Sequence, residues 1–218
     1  MSAFSEDGDL LFKGVDLNLA KGDKVVVFSK DARATSAFYE IINGNKKAES
    51  GQYQWGVTTN QSYLPADNSE FFKTESNLVD WLRQWAKTEE EREEVHIRGF
   101  LGKMLFSGEE ALKKATVLSG GEKVRCMLSR MMLQQANLIF LDEPTSHLDL
   151  ESIQALNNGM RDFKGTLVFS SHDHTINQTV ANRIIEIYPH GVLDKLVEYD
   201  DFITDKKIAE QRTALASK

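Results

Sequence analysis

Leu138-Ile139-Phe140-Leu141-Asp142-Glu143-Pro144-Thr145, followed by Ser146-His147-Leu148-Asp149, decides how this chain reads. Four apolar residues make a short strand of the kind that lies inside a parallel sheet. An aspartate ends it and a glutamate follows. The first acid can hold Mg²⁺ directly or through water. The second can orient or deprotonate an attacking water. Pro144 stiffens the exit. A bare Asp-Glu-Pro turn without chemistry is the alternative, but it does not account for the whole run.

Two further stretches bracket this one. Upstream, Leu118-Ser119-Gly120-Gly121-Glu122 precedes a helical stretch over 122–133. Paired glycines let a backbone come close to a ligand, and a helix N-terminus favours an anion. Ser119 can also serve as a simple N-cap. Downstream, Ser170-Ser171-His172-Asp173 follows the apolar run Thr166–Phe169. An imidazole at a strand end can donate to a phosphate oxygen or link that oxygen to a base. His174 reads as a helix start and His147 as part of the loop after the acid pair.

Working outward, strands alternate with helices. Strands are expected over 10–19, 25–28, 138–141, 166–169 and 184–188, with a short edge over 192–195. Helices are expected over 36–43, 151–163 and 174–181. This alternation predicts an α/β protein with a parallel sheet covered on both faces. In such sheets ligands bind beyond the carboxyl ends of the strands. Asp142, His172 and the loop after Phe28 all follow strands and so converge on one edge. Residues 51–64 are rich in aromatic and β-branched residues and predict antiparallel strands. Residues 75–130 or so read as a helical insert, with Leu78, Trp81, Leu82 and Trp85 on one stripe. The acidic run over 89–94 reads as a solvated face. One domain is expected over 1–204, with a polar, frayed helical tail over 205–218.

Composition narrows the function. The chain has 218 residues, 41% of them hydrophobic, and a formal charge of −7. That charge argues against gripping nucleic acid through bulk electrostatics. No apolar run approaches 20 residues, so no membrane span is expected. Cys126 is the one cysteine, which excludes an internal disulfide and suits a cytoplasmic location.

Taken together, LSGGEKVR, LIFLDEPTSHLD and SSHD make the chain resemble the ABC-F class of ATP-binding cassette proteins, from about residue 10 to about 202. The resemblance implies an ABC-type P-loop NTPase cassette: a mainly parallel core sheet, an antiparallel β-subdomain and a helical subdomain. It implies ATP and Mg²⁺ as ligands and ATPase activity. Asp142 and Ser36 would serve the metal, Glu143 would be the base and His172 the switch histidine. Ser119, Gly120, Gly121 and Glu122 would form the signature that caps ATP held by another cassette. Residues 146–149, with Asp149, would form the D-loop that crosses to that partner. Phe4 would stack on adenine.

The phosphate loop departs from the pattern. Where G-x-x-x-x-G-K-[ST] is expected, the chain has Ser29-Lys30-Asp31-Ala32-Arg33-Ala34-Thr35-Ser36. Thr35 stands at the lysine position and Ser36 keeps the hydroxyl; both are assigned to nucleotide contact. Lys30 or Arg33 would have to replace the missing cation. Ala66 stands where the Q-loop glutamine belongs. The resemblance implies a second, C-terminal cassette that works with a partner cassette, in the same chain or as a homodimer. It also implies ribosome association through a full-length protein and no membrane contact. A non-hydrolysing scaffold that lends its signature is the alternative; a transporter motor is a weaker one.

Overall fold

Strand β3 (Lys24–Ser29) lies near the middle of a six-stranded sheet, and its sequence shows why. Lys-Val-Val-Val-Phe-Ser is β-branched through its centre, and Val25, Val26 and Val27 are fully buried. Alternate residues face opposite ways. Val25 and Val27 enter one core and Val26 the other. The computed structural model describes residues 1–146 and 148–216. His147, expected in the D-loop, lies outside the described residues.

The sheet also contains β4 (Gln61–Leu64), β5 (Leu138–Leu141), β6 (Thr166–Phe169), β7 (Arg183–Tyr188) and β8 (Gly191–Lys195). Their spatial order is β4-β5-β6-β3-β7-β8. Every pairing is parallel except the last, between β7 and β8. A small separate sheet pairs β1 (Ala3–Phe4) with β2 (Leu10–Phe12), antiparallel.

One face of the main sheet packs helix α1 (Ala32–Ile42) together with β1 and β2. The other face carries the helical part. It holds α2 (Leu78–Arg83), α3 (Glu89–Arg92), α4 (Glu94–Lys103) and α5 (Gly120–Leu133). Beyond them come α6 (Leu150–Asp162), α7 (His174–Val180), α8 (Tyr199–Thr204) and α9 (Lys206–Ala216). The expected stripe is real: Leu78, Trp81 and Leu82 are fully enclosed. Trp81 stacks on Phe72 at 4.8 Å and meets Trp85 edge-on at 4.5 Å. Such aromatic pairs add about 0.5–1.5 kcal/mol beyond their burial. The acidic helix α3 buries nothing and is held by a Thr88–Glu91 capping box.

The antiparallel strands expected over 51–64 are a correction. Only Gln61–Leu64 forms a strand, and it pairs parallel to β5. Likewise the expected strand over 10–19 stops at Phe12. A strand needs a neighbour within about 5 Å to satisfy its amides. Residues 15–21 and 52–56 instead line a shared cavity of about 1050 Å³. The isolated bridge between Ser2 and Ser50 marks where pairing ends. The C-terminal helix is also firmer than expected. Arg212 of α9 donates to both oxygens of buried Glu186 on β7, at 2.7 and 3.1 Å.

Candidate functional site

Parallel strands bring their carboxyl ends to one edge, and the acid pair sits there. Leu141 of β5 pairs with Phe169 of β6, so Asp142 and Ser170 emerge side by side. The Ser170 hydroxyl donates to Asp142 Oδ1 at 2.8 Å and accepts the Glu143 amide at 2.9 Å. Both Asp142 and Ser170 are buried. Glu143 has φ +48°, the left-handed region that costs a non-glycine residue about 1–3 kcal/mol. This turn aims the Glu143 carboxylate at His172, whose Nε2 lies 3.5 Å from Oε1. His172 is 90% exposed, with Glu143 on one side of its ring.

The electrostatics are those of two acids kept from water. Burial raises the Asp142 pKa, opposed by the Ser170 hydrogen bond and by the Ala66 amide and Ser36 hydroxyl facing the same carboxylate. Burial likewise raises Glu143, opposed by His172 and reinforced by the Asp142 charge. The enclosed Tyr39 phenol is pushed well up, by desolvation first and then by Asp142. A cleft of about 160 Å³ opens beside the pair, lined by Ala66, Asp67, Gly120, Lys123, Asp142 and Glu143. Ala66 thus forms an apolar part of the wall there. The sequence reading did not single out Ser170, Lys123 or Asp67; strand-end position was the available signal for Ser170.

The phosphate-loop side is built differently. Helix α1 begins at Ala32, four residues before the expected start, because Asp31 caps it. Asp31 Oδ1 accepts the Arg33 amide at 2.9 Å. The Arg33 guanidinium returns to Asp31 at 2.9 Å and reaches Asp9 at 3.2 Å. Arg33 is therefore committed to carboxylates. Its hydrogen bonds hold Asp31 below the usual carboxylate range. Ser29 donates to Ile187 O at 2.8 Å. Thr35 is buried in α1, and Ser36 faces Asp142. Lys30 is exposed and has no ion pair among the described residues. Phe4 is exposed at the end of β1.

At the signature, Ser119 caps α5 and Glu122 closes a capping box. Glu122 Oε2 accepts the Ser119 amide at 2.8 Å, and Oε1 takes Lys113 Nζ at 2.8 Å. The Glu122 carboxylate is therefore occupied within the chain. Ser119 and Gly120 remain exposed. Asp149 caps α6 through the Ser152 amide at 2.8 Å, which lowers its pKa. The structure thus gathers Ser36, Asp142, Glu143 and His172 at one edge. Ser119 and Asp149 stand at the starts of other helices. Among the described residues, no helix is long and apolar enough to cross a membrane.

The comparisons agree with this geometry. Residues 12–146 match the family described as ABC transporter. YkpA of Bacillus subtilis strain 168, named an uncharacterized ABC transporter ATP-binding protein, is 52% identical over 96% of this chain and 38% of its own length. ABC transporter F family member 2 of Arabidopsis thaliana is 27% identical over 96% of this chain and 30% of its own. The chain therefore spans well under half of each relative. A solved structure titled as a dimeric, post-hydrolysis state of the ATP-binding cassette MJ0796 bound to ADP and Pi superposes with a TM-score of 0.72. At 19% identity it covers 90% of this chain and 94% of that one, a likeness of fold. The chain belongs to the ABC transporter family, as an ATP-binding cassette.

Proposed function

We propose that this chain is the second cassette of an ABC-F protein, that it binds and hydrolyses ATP with Mg²⁺ at composite sites shared with a partner cassette, and that its own phosphate loop is the weak contributor. The observation that carries this reading is the meeting of Asp142, Glu143 and His172 at one edge, beside an α1 N-terminus already capped by Asp31. In this reading residues 1–204 form one cassette and 205–218 its tail. The cytoplasmic location and the ribosome contact of a full-length protein follow from the ABC-F likeness.

The metal side fits the residues present. Ser36 and Asp142 offer a hydroxyl and a carboxylate beside each other. No group of three or more His, Cys, Asp or Glu side chains suited to a metal occurs among the described residues. Mg²⁺ is commonly held in this way, by one or two protein oxygens plus phosphate and water. It would supply charge neutralisation at the phosphates. Glu143, with its pKa raised, suits a proton acceptor, and His172 suits a donor that reports on the γ-phosphate end. Exposed Phe4 offers its ring to adenine. Gly120 and Gly121 at the start of α5 present amides, and Ser119 its hydroxyl, to a nucleotide held by the partner, and Asp149 fixes the crossing loop.

The phosphate side fits less well. The Asp31 carboxylate sits on an amide that a phosphate oxygen would use, and like charges repel. This favours a second reading, a scaffold cassette that lends its signature and does not turn over nucleotide at its own loop. Calorimetric titration of Mg-ATP into the isolated chain tests the pair of readings. Binding about 10- to 100-fold weaker than micromolar is expected, since a lost charged contact costs about 1.5–3 kcal/mol. Micromolar binding that disappears in Lys30→Ala would overturn the weak-loop reading and make Lys30 the substitute cation.

A further inference from the structure

Ser170 stands two residues before the histidine that the motif advertises, yet it touches both acids. Its hydroxyl has one proton and two lone pairs. The proton goes to Asp142 Oδ1 at 2.8 Å and one lone pair takes the Glu143 amide at 2.9 Å. The Ala66 amide and the Ser36 hydroxyl face the same carboxylate. The Ser170 amide meanwhile bonds to Leu141 O at 2.9 Å, so the residue is pinned to the end of β5 from two directions. It is 2% exposed, so water does not compete.

This one atom does two things that otherwise oppose each other. Asp142 should face the ion beside Ser36, while Glu143 should turn away toward His172. Consecutive residues in an extended strand would separate the two side chains by pointing them to opposite faces of the sheet. Here the chain leaves the strand through a left-handed residue instead, at φ +48°. A strained backbone persists only where its surroundings fix it. The Ser170 oxygen fixes it by holding the Glu143 amide, and the same hydroxyl holds the Asp142 rotamer.

We infer that Ser170 is a positioning residue of the acid pair, whose hydroxyl sets the Asp142 carboxylate and the left-handed Glu143 backbone together. The inference rests on reading Asp142 and Glu143 as the metal-facing acid and the base. Its test includes a readout that does not depend on that reading.

The first arm follows the Glu143 amide in the nucleotide-free chain by NMR hydrogen exchange. Ser170→Ala should speed that exchange about tenfold or more while leaving amides in β3 unchanged. Ser170→Thr, which keeps the hydroxyl, should restore protection. Ser170→Cys, nearly the same size with a poor donor, should behave like alanine. The second arm measures Mn²⁺ affinity by electron paramagnetic resonance in the presence of ATP. Alanine should weaken it about tenfold, as loss of a group orienting a metal ligand does, and threonine should recover it. Glu143 exchange within twofold of wild type in both the alanine and cysteine variants would overturn the proposal and leave Ser170 a packing residue. Wild-type protein that binds no Mn²⁺ would instead count against the metal reading, with the exchange arm still deciding Ser170.

Discussion

The loop after β3 and the turn after β5 share one sheet edge, yet their carboxylates sit in opposite electrostatic settings. The turn after β5 holds two carboxylates with raised pKa values, met from the end of β6 by a bridging serine and by a histidine at 3.5 Å. The loop after β3 holds a carboxylate with a lowered pKa that satisfies the helix amide itself and locks up the nearest arginine. The first region surrounds its carboxylates with a hydroxyl, an amide and an imidazole; the second ties its carboxylate to an arginine.

The sharpest test of the contrast is Glu143→Gln in a two-cassette protein that carries this sequence as its second cassette, the arrangement proposed above. Turnover at the site built on this chain should fall about 100-fold or more, as for loss of a general base. Nucleotide-dependent pairing of the cassettes should outlive that of the parent in stopped-flow measurements. Pairing no longer-lived than the parent's would show that the intact-looking side has no rate-setting role.

Restoring the phosphate-loop pattern after β3 gives the next effect. Asp31→Gly with Thr35→Lys removes the internal anion and returns the loop cation. Mg-ATP binding to the chain should tighten about 10- to 100-fold by calorimetry, matching a charged hydrogen bond of about 1.5–3 kcal/mol. No gain would mean that the remaining loop, with Ser29 and Ala34 at the two glycine positions, blocks phosphate by shape.

The smallest effect separates the two carboxylates by pH. Glu143 has a folded pKa above its ordinary 4.5, so the folded state binds more protons there and its burden on stability grows as pH rises past that value. Glu143→Gln should therefore raise the melting temperature by about 1–4 °C at pH 8, a gain that disappears near pH 4. Asp31 has a folded pKa below its ordinary 3.8, so its stabilising contribution is present above that value and is lost as pH falls. Asp31→Asn should lower the melting temperature slightly at pH 8, and this difference should vanish in acid. Matching pH profiles for the two variants would break the comparison.

Much of this was written in the chain. Apolar strands ending in Asp142 and Ser170 placed the acids and His172 on one edge, since parallel strands share a carboxyl end. The Leu78–Trp81–Leu82 stripe placed the helical part, because helical spacing makes one apolar face. The loss of glycines and lysine over 29–36 was visible residue by residue. Local signals went unread where they were short: Asp31 is a plain helix cap, and it moved the start of α1 four residues forward.

Other features needed the third dimension. Residues 51–60 have strand-forming composition, but a strand exists only when a neighbour comes within hydrogen-bonding reach, and a cavity lies there instead. The pairing of Glu186 with Arg212 joins residues 26 apart across α9 and β7, which no local pattern announces. The serine that touches both acids is 28 residues from Asp142 and 27 from Glu143. Sequence set the types of residue at the strand ends, through periodicity and the chemistry of carboxylate, imidazole and glycine. Only tertiary structure decided which hydroxyl meets which carboxylate, because hydrogen bonds depend on tenths of an ångström between strands that are distant in the chain.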